Sequence, residues 1–200
     1  MGSFYKFYCT IVGEVAILQN IATVVYVLGL IGVAVCLVVY LYSLTVTRVP
    51  FLWLSHKMLP EIVDALQLAP NSVMYELGSG DARVLLAASK RQPSARYIGV
   101  DIALAALAAA SFRHWRAGSP KNVTILKNNF FKLDLSDATH IYCFIYPEVM
   151  SDLHQKFLQE LTPGTRLVSC NFQIADKKPS QIIPFKKQTF LAKTLYVYEY

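Results

Sequence analysis

Charge is scarce in this chain and, over one long stretch, missing. Only 16% of its 200 residues are Asp, Glu, Lys or Arg, against 54% hydrophobic residues, and none of the charged ones falls between Val15 and Thr47. A chain this apolar is not disordered. Cysteine is sparse as well. Cys9, Cys36, Cys143 and Cys170 include no C-x-x-C pair and no histidine-rich spacing, so neither a zinc site nor a disulfide scaffold is suggested. They read as small buried thiols in a reducing compartment. His56, His114, His140 and His154 stand apart without spacing partners, so no metal site is expected from them. Basic runs are also lacking. The net charge is +6, yet the basic residues are scattered, with the paired lysines Lys177-Lys178 and Lys186-Lys187 short and without aromatic interleaving, so nucleic acid is not expected as a partner. A basic domain tethered against an anionic membrane surface accounts for the balance.

The charge-free stretch is long enough to define its own role. Ile21 to Leu44 would run roughly 36 Å as a helix, against a hydrocarbon core of about 30 Å. Gln19 and Asn20 flank it on one side and Thr45, Thr47 and Arg48 on the other, with Tyr26, Tyr40 and Tyr42 towards its ends, as interfacial aromatics are. A cleaved signal would have a shorter apolar core and a small-residue exit, and neither is present. The expected organisation is an N-terminal segment at 1–20, a transmembrane helix at 21–44 in contact with the bilayer, and a soluble domain at 48–200. Arg48 and Lys57 follow the span with no acid before Glu61, which places the C-terminal domain in the cytoplasm or an equivalent reducing compartment.

Within the soluble part, strand-like and helix-like segments alternate. A helical pattern at Leu59, Ile62, Val63 and Leu66 leads through a turn at Ala69-Pro70-Asn71 to the strand SVMYELG. Helix 82–91, strand RYIGVD, an alanine-rich helix from Ile102 to Ala117, strand NVTILKN, strand THIYCFIY, helix EVMSDLHQKFLQEL and strand TRLVSCNF follow. That rhythm implies an α/β fold with a parallel sheet covered by helices on both faces. The final stretch, IIPFKKQTFLAKTLYVYEY, reads as two strands with no helix between them and predicts an antiparallel edge. There is no internal repeat, and the one linker-like piece, Ala175 to Ser180, is too short to divide domains.

Four successive strand tips carry polar chemistry. The first is Glu76-Leu77-Gly78-Ser79-Gly80-Asp81-Ala82-Arg83, where a strand turns into a helix. Gly78 and Gly80 permit a sharp turn and close approach of a ligand to backbone N–H groups at a helix start. No third glycine follows, so a pyrophosphate seat is poorly made, and Glu76 before the loop suits a cationic ligand. Asp101 closes the second strand, placed to take two ribose hydroxyls. Asn129 and Phe130, within Asn128-Asn129-Phe130-Phe131 after the third strand, could meet an adenine edge and cover its face. Tyr146, Pro147 and Glu148 follow the fourth strand, at the edge where such sheets do chemistry. Each also has an ordinary reading: Glu76 as a partner of Arg83, Asp101 as a helix cap, Asn129 as a turn residue, Tyr146-Pro147 as a helix start.

E-L-G-S-G-D-A-R, G-V-D, N-N-F-F and I-Y-P-E together resemble the motif series of the seven-stranded, Rossmann-like methyltransferases that use S-adenosylmethionine, over about residues 50 to 200. The two terminal strands agree with that fold, which ends with an antiparallel strand inserted at the sheet edge. A hydrophobic span, a V-P-F segment and a P-E-V-M helix further resemble the small membrane-anchored protein lysine methyltransferases of the mitochondrial type, members of which modify the adenine nucleotide carrier or the c-subunit of ATP synthase. The non-SET histone lysine methyltransferases are a more distant likeness, through G-S-G and N-N-F-F. Against the usual pattern, Glu76 replaces Asp, Ala82 replaces Gly, Asn129 replaces Asp, and Val49-Pro50-Phe51-Leu52-Trp53-Leu54-Ser55 lacks a second proline.

The resemblance implies S-adenosylmethionine as cofactor, with Glu76, Gly78, Ser79, Gly80, Asp101, Asn129 and Phe130 binding it, and a lysine of a membrane protein as acceptor. Glu148 is the expected orienting group for the amine, supplemented by Tyr146, Pro147 and the carbonyls near Ile145, while Phe130, Phe131 and Phe144 are either core or walls of the methyl site. A small-molecule or lipid methyltransferase on the same fold, and a non-catalytic membrane module, are the alternatives.

Overall fold

The computed structural model describes residues 2–47, 54–190 and 192–200. The chain divides into two compact units, Met1–Val46 and Thr47–Tyr200. The first is one continuous helix, α1 (Gly2–Thr47). Within it Ile17–Val38 is apolar and long enough to cross a membrane, and its side chains are exposed. This window overlaps the expected 21–44 and starts earlier, at Ile17. The hydroxyl of Thr23 donates to the Gln19 carbonyl at 2.9 Å, so this polar group is satisfied inside the helix, as an apolar solvent requires. The Val49-Pro50-Phe51 segment, with Arg48, Leu52 and Trp53, lies outside the described residues.

The second unit begins with α2 (Leu59–Leu66), which has a proline at its start and buries Ile62, Val63 and Leu66. Strands β1 (Val73–Leu77), β2 (Arg96–Asp101), β3 (Val123–Lys127), β4 (His140–Cys143) and β5 (Arg166–Cys170) are parallel, linked by α3 (Arg83–Arg91), α4 (Leu104–Arg116) and α5 (Pro147–Glu160). β6 (Gln181–Pro184) and β7 (Thr194–Glu199) complete a seven-stranded sheet of order β3-β2-β1-β4-β5-β7-β6. β7 runs antiparallel to both of its neighbours, so the second of the two terminal strands is the one inserted next to β5.

Strand alternation sorts the core into two layers. Met74, Tyr97, Tyr142, Val168 and Val197 pack with α2 and α3 on one face, and Ala110 brings α4 into that layer. Tyr75, Leu77, Val100, Ile141 and Cys143 face the other way, against Met150, Leu153 and Phe157 of α5. The connection from β3 to β4 holds no α-helix, only a 3-10 turn at Phe130–Lys132, after which buried Leu135 and Ala138 fill the layer beside α5. All five parallel strands therefore end at one edge, and the motif residues stand on the loops that leave it.

Candidate active site

The loop after β1 is held by the backbone of β2. The N–H groups of Gly78 and Ser79 both donate to the Val100 carbonyl, at 2.9 and 3.0 Å. Gly78 and Gly80 have φ of +69° and +54°, the left-handed region that glycine enters without penalty. Ala82, where the family pattern has glycine, sits at φ 58° in the same region and is fully buried. Its Cβ there costs about 1–2 kcal/mol, strain that the flanking structure holds in place. Gly99 explains the closeness of loop and sheet: a Cβ at this position would lie 3.0 Å from Ser79 Oγ and 3.1 Å from Leu85 Cδ2.

Asp101 joins three of the strand tips. Its Oδ2 accepts the Gly80 N–H and its Oδ1 the Ala103 N–H, both at 2.9 Å, and its carbonyl accepts the Asn128 N–H at 3.1 Å. Each carboxylate oxygen keeps a further lone pair for a ligand hydroxyl. Ser79 Oγ, in the same loop, is buried without a hydrogen-bond partner. A half-exposed carboxylate with remaining acceptor capacity, an orphaned hydroxyl and an open glycine loop are a donor and acceptor set that fits a nucleoside cofactor.

Glu76 is placed differently from the other motif residues. Its Oε2 accepts the Leu85 N–H at 2.9 Å, and the side chain is buried. Burial pushes its carboxyl well above the ordinary value, against the opposing pull of that backbone hydrogen bond. Its hydrogen bond thus goes to the Leu85 N–H in the first turn of α3, with Arg83 near enough for its charge to favour the carboxylate. Arg83 instead binds Asp81 through Nε (2.8 Å) and Nη2 (2.6 Å), and Arg113 of α4 adds a third bond to Asp81 at 2.7 Å. Burial works to raise the Asp81 carboxyl, but the Arg83 hydrogen bonds and the charges of both arginines outweigh it and hold it below the usual range. Arg83 also donates to the Leu54 carbonyl, fastening the start of the domain to the cofactor loop. The ordinary reading of Glu76 paired it with Arg83, whereas the fold brings Asp81 into hydrogen bonds with that arginine.

Asn129 uses its side-chain oxygen to cap the 3-10 turn, accepting the Phe131 N–H at 2.9 Å, so the amide nitrogen is its uncommitted donor. Phe130 packs against the α5 layer and lies 4.9 Å, centroid to centroid, from Phe131. Beyond β4, Ile145 rests over the glycine loop, its Cγ1 3.8 Å from the position of a Gly78 Cβ. Tyr146 precedes α5 and Pro147 opens it, which is the helix-start geometry their types favour. Glu148 is an exposed acid in the first turn of that helix.

Phe172, which no motif singled out, completes this side. It stacks on Tyr146 with centroids 5.3 Å apart and on Phe144 at 6.0 Å. The residue before it, Asn171, has φ 67°, and the Phe172 carbonyl accepts Ser169 Oγ at 2.6 Å, so the turn after β5 aims the ring at the end of β4. The available signal was Asn-Phe immediately after a strand, too common a pair to select. Among the described residues no group of three His, Cys, Asp or Glu could hold a metal ion.

Comparison with known proteins agrees with this layout. Residues 76–181, more than half of the chain, match the ANTKMT methyltransferase domain. A protein-lysine N-methyltransferase of Saccharolobus islandicus (strain REY15A) is 29% identical over 153 residues, covering 76% of this chain and 94% of that protein. The adenine nucleotide translocase lysine N-methyltransferase of Mus musculus is 28% identical over 138 residues, covering 68% of this chain but only 58% of the mouse protein. Among solved structures, an RNA methyltransferase from Salinibacter ruber in complex with S-adenosyl-L-homocysteine shares the fold, with a TM-score of 0.68 and 24% identity over 74% of this chain and 93% of that one. A seven-stranded sheet with its antiparallel strand inserted beside β5, a glycine loop tied to Asp101, and a family match over 76–181 that takes in that loop and Asp101 place the chain in the ANTKMT methyltransferase domain family.

Proposed function

We propose that the chain is a membrane-anchored methyltransferase that transfers a methyl group from S-adenosylmethionine to a lysine side chain of a membrane protein, with its catalytic domain on the cytoplasmic or equivalent reducing side. The observation that carries the reading is the juxtaposition of an Asp101-bound glycine loop with the ring group Phe144, Tyr146 and Phe172 at the next strand tips. The cofactor supplies an electrophilic methyl on a sulfonium. Asp101 would hold its ribose hydroxyls, Gly78 to Gly80 would admit it close to the backbone, and Asn129 and Phe130 would border the adenine. Glu76 acts one layer below, fixing the start of α3 through the Leu85 N–H.

A free lysine has a pKa near 10.4 and is about 0.04% neutral at pH 7, so the site must attract the cation, let it release one proton to water or a carboxylate, and orient the neutral amine whose lone pair takes the methyl. Aromatic rings attract ammonium and methylammonium groups alike, and Phe144, Tyr146 and Phe172 form a half-buried ring group at this edge. Glu148 and the carbonyls beside Ile145 accept the N–H bonds that aim the lone pair. The anchor reading is supported by Ile17–Val38, and the acceptor reading by the substrate named for the mouse relative.

The test is methyl transfer by the full chain from radiolabelled S-adenosylmethionine to membrane fractions. Label that is protease-sensitive and recovered as methyl-lysine after acid hydrolysis is the expected result. Label extracted with the lipids overturns the acceptor, and absence of S-adenosylhomocysteine binding overturns the site.

A further inference from the structure

From Ile102 to Leu133 the sequence contains Arg113, Arg116, Lys121, Lys127 and Lys132 and no Asp or Glu. This stretch forms α4, β3 and the 3-10 turn, and β3 is the edge of the sheet. Large apolar side chains are exposed on it. Leu104, Phe112 and Trp115 of α4 are 60%, 58% and 68% exposed, and Phe131 is exposed beyond the strand. The spacing of Leu104, Ala108, Phe112 and Trp115 is that of a single helix face, opposite the buried Ala106 and Ala110. Phe112 and Trp115 meet with centroids 5.9 Å apart, and the Arg116 guanidinium lies 6.0 Å over the Phe112 ring.

We infer that this face, α4 with the β3 edge, docks on an anionic lipid surface. An acid-free helix with leucine and large aromatics outward and Arg116 at their margin has the composition of an interfacial helix, with tryptophan at headgroup depth. A second copy of the chain is a poorer occupant. A two-fold contact would set Arg116, Lys121 and Lys127 against their own equivalents with no acid on the face to pair them. Lysines at both ends of the edge strand also oppose strand-to-strand pairing. The inference rests in part on the anchored reading above, since the same chain carries the candidate span Ile17–Val38.

The docking has a functional consequence through the topology. α4 follows directly from the tip of β2, which ends in Asp101, and the Phe130–Lys132 turn follows the tip of β3. Seating this face on lipid fixes the open edge of the sheet at a set height above the bilayer, so the acceptor lysines reached are those close to the membrane surface.

The sequence holds two tryptophans, so Trp53→Phe leaves Trp115 as the sole indole reporter. The full chain carrying this change is reconstituted into vesicles of phosphatidylcholine with phosphatidylserine, with and without brominated acyl chains. The expected result is a blue-shifted Trp115 emission that brominated lipid quenches, with quenching lost in high salt and in phosphatidylcholine alone. Adding Arg116→Gln or Lys121→Gln lowers the docked fraction relative to the free by roughly fivefold each, with S-adenosylhomocysteine binding retained as the control for folding. Flotation after an alkaline carbonate wash scores anchoring separately. A chain that floats while Trp115 emits as in water and ignores bromine overturns the docking and leaves the anchor standing. Blue-shifted emission without bromine quenching also overturns it, because then a protein, a second copy or an acidic partner, covers the face. Bromine quenching in a chain that washes off supports the docking and overturns the anchor.

Discussion

At the tips of β1 and β2 the chain is held by main-chain amides and carboxylates, whereas at the tips of β4 and β5 it is held by ring faces. The first group includes two N–H bonds to Val100, two to Asp101, one to Glu76 and a buried cluster of Asp81 with Arg83 and Arg113. The second is Phe144, Tyr146 and Phe172, with Ile145 resting on Gly78. Directional bonds tolerate little displacement and suit an invariant ligand. Ring contacts are less directional and can be retuned one side chain at a time, which suits the half that meets an acceptor.

Asp81→Ala is the largest way to break this contrast. It leaves two arginines without their shared acid, Arg83 being buried, and is expected to cost about 3–5 kcal/mol of stability, read as a drop in thermal midpoint. The Asp101→Ala variant tests the cofactor half alone. Losing two charge-assisted bonds and the ribose contact should weaken S-adenosylhomocysteine binding about 100-fold by calorimetry, with methyl transfer falling in parallel. On the other side, Phe172→Ala is expected to lower kcat/KM for the acceptor about 10-fold while cofactor affinity stays unchanged. If cofactor affinity falls instead, the cofactor and acceptor halves of the site are not separable.

The smallest effect concerns His140, at the start of β4. Burial, seconded by the charge of Arg166, lowers its pKa from 6.5 to about 4. The unfolded chain takes up a proton as pH falls below about 6.5 and the folded chain does so only near 4, so stability is full above that window and declines through it as the medium is acidified. His140→Gln should flatten this decline in denaturant titrations at successive pH values.

The order of elements was readable because strands of five or so residues alternate with longer helical patterns and each strand ends in a distinctive polar residue. Asp101 and the two glycines could be found this way because their roles depend on residue type and position relative to a strand end. Arg83 could not be assigned its partner, since Glu76 and Asp81 are both near in sequence and only the direction of α3 decides between them. Phe172 was missed for a related reason: the turn that aims it depends on the left-handed Asn171 and on packing against β4, neither of which leaves a spacing to count. The exposed face of α4 was hidden by alanines, which are apolar wherever they lie and give no period from which a buried side could be read.

The place of β7 has a consequence for how the domain comes to be made. β6 precedes β7 in the chain, yet among the described residues its one strand neighbour is β7, which lies between it and β5. In the folding chain β6 has no strand to pair with until Thr194–Glu199 is in place, and Tyr198 and Val197, both fully buried, arrive with that strand. The parallel part of the sheet can assemble first, but one flank of β5 stays open until Thr194–Glu199 pairs with it, and a folding intermediate without that strand would hold out a β-edge able to pair with other chains.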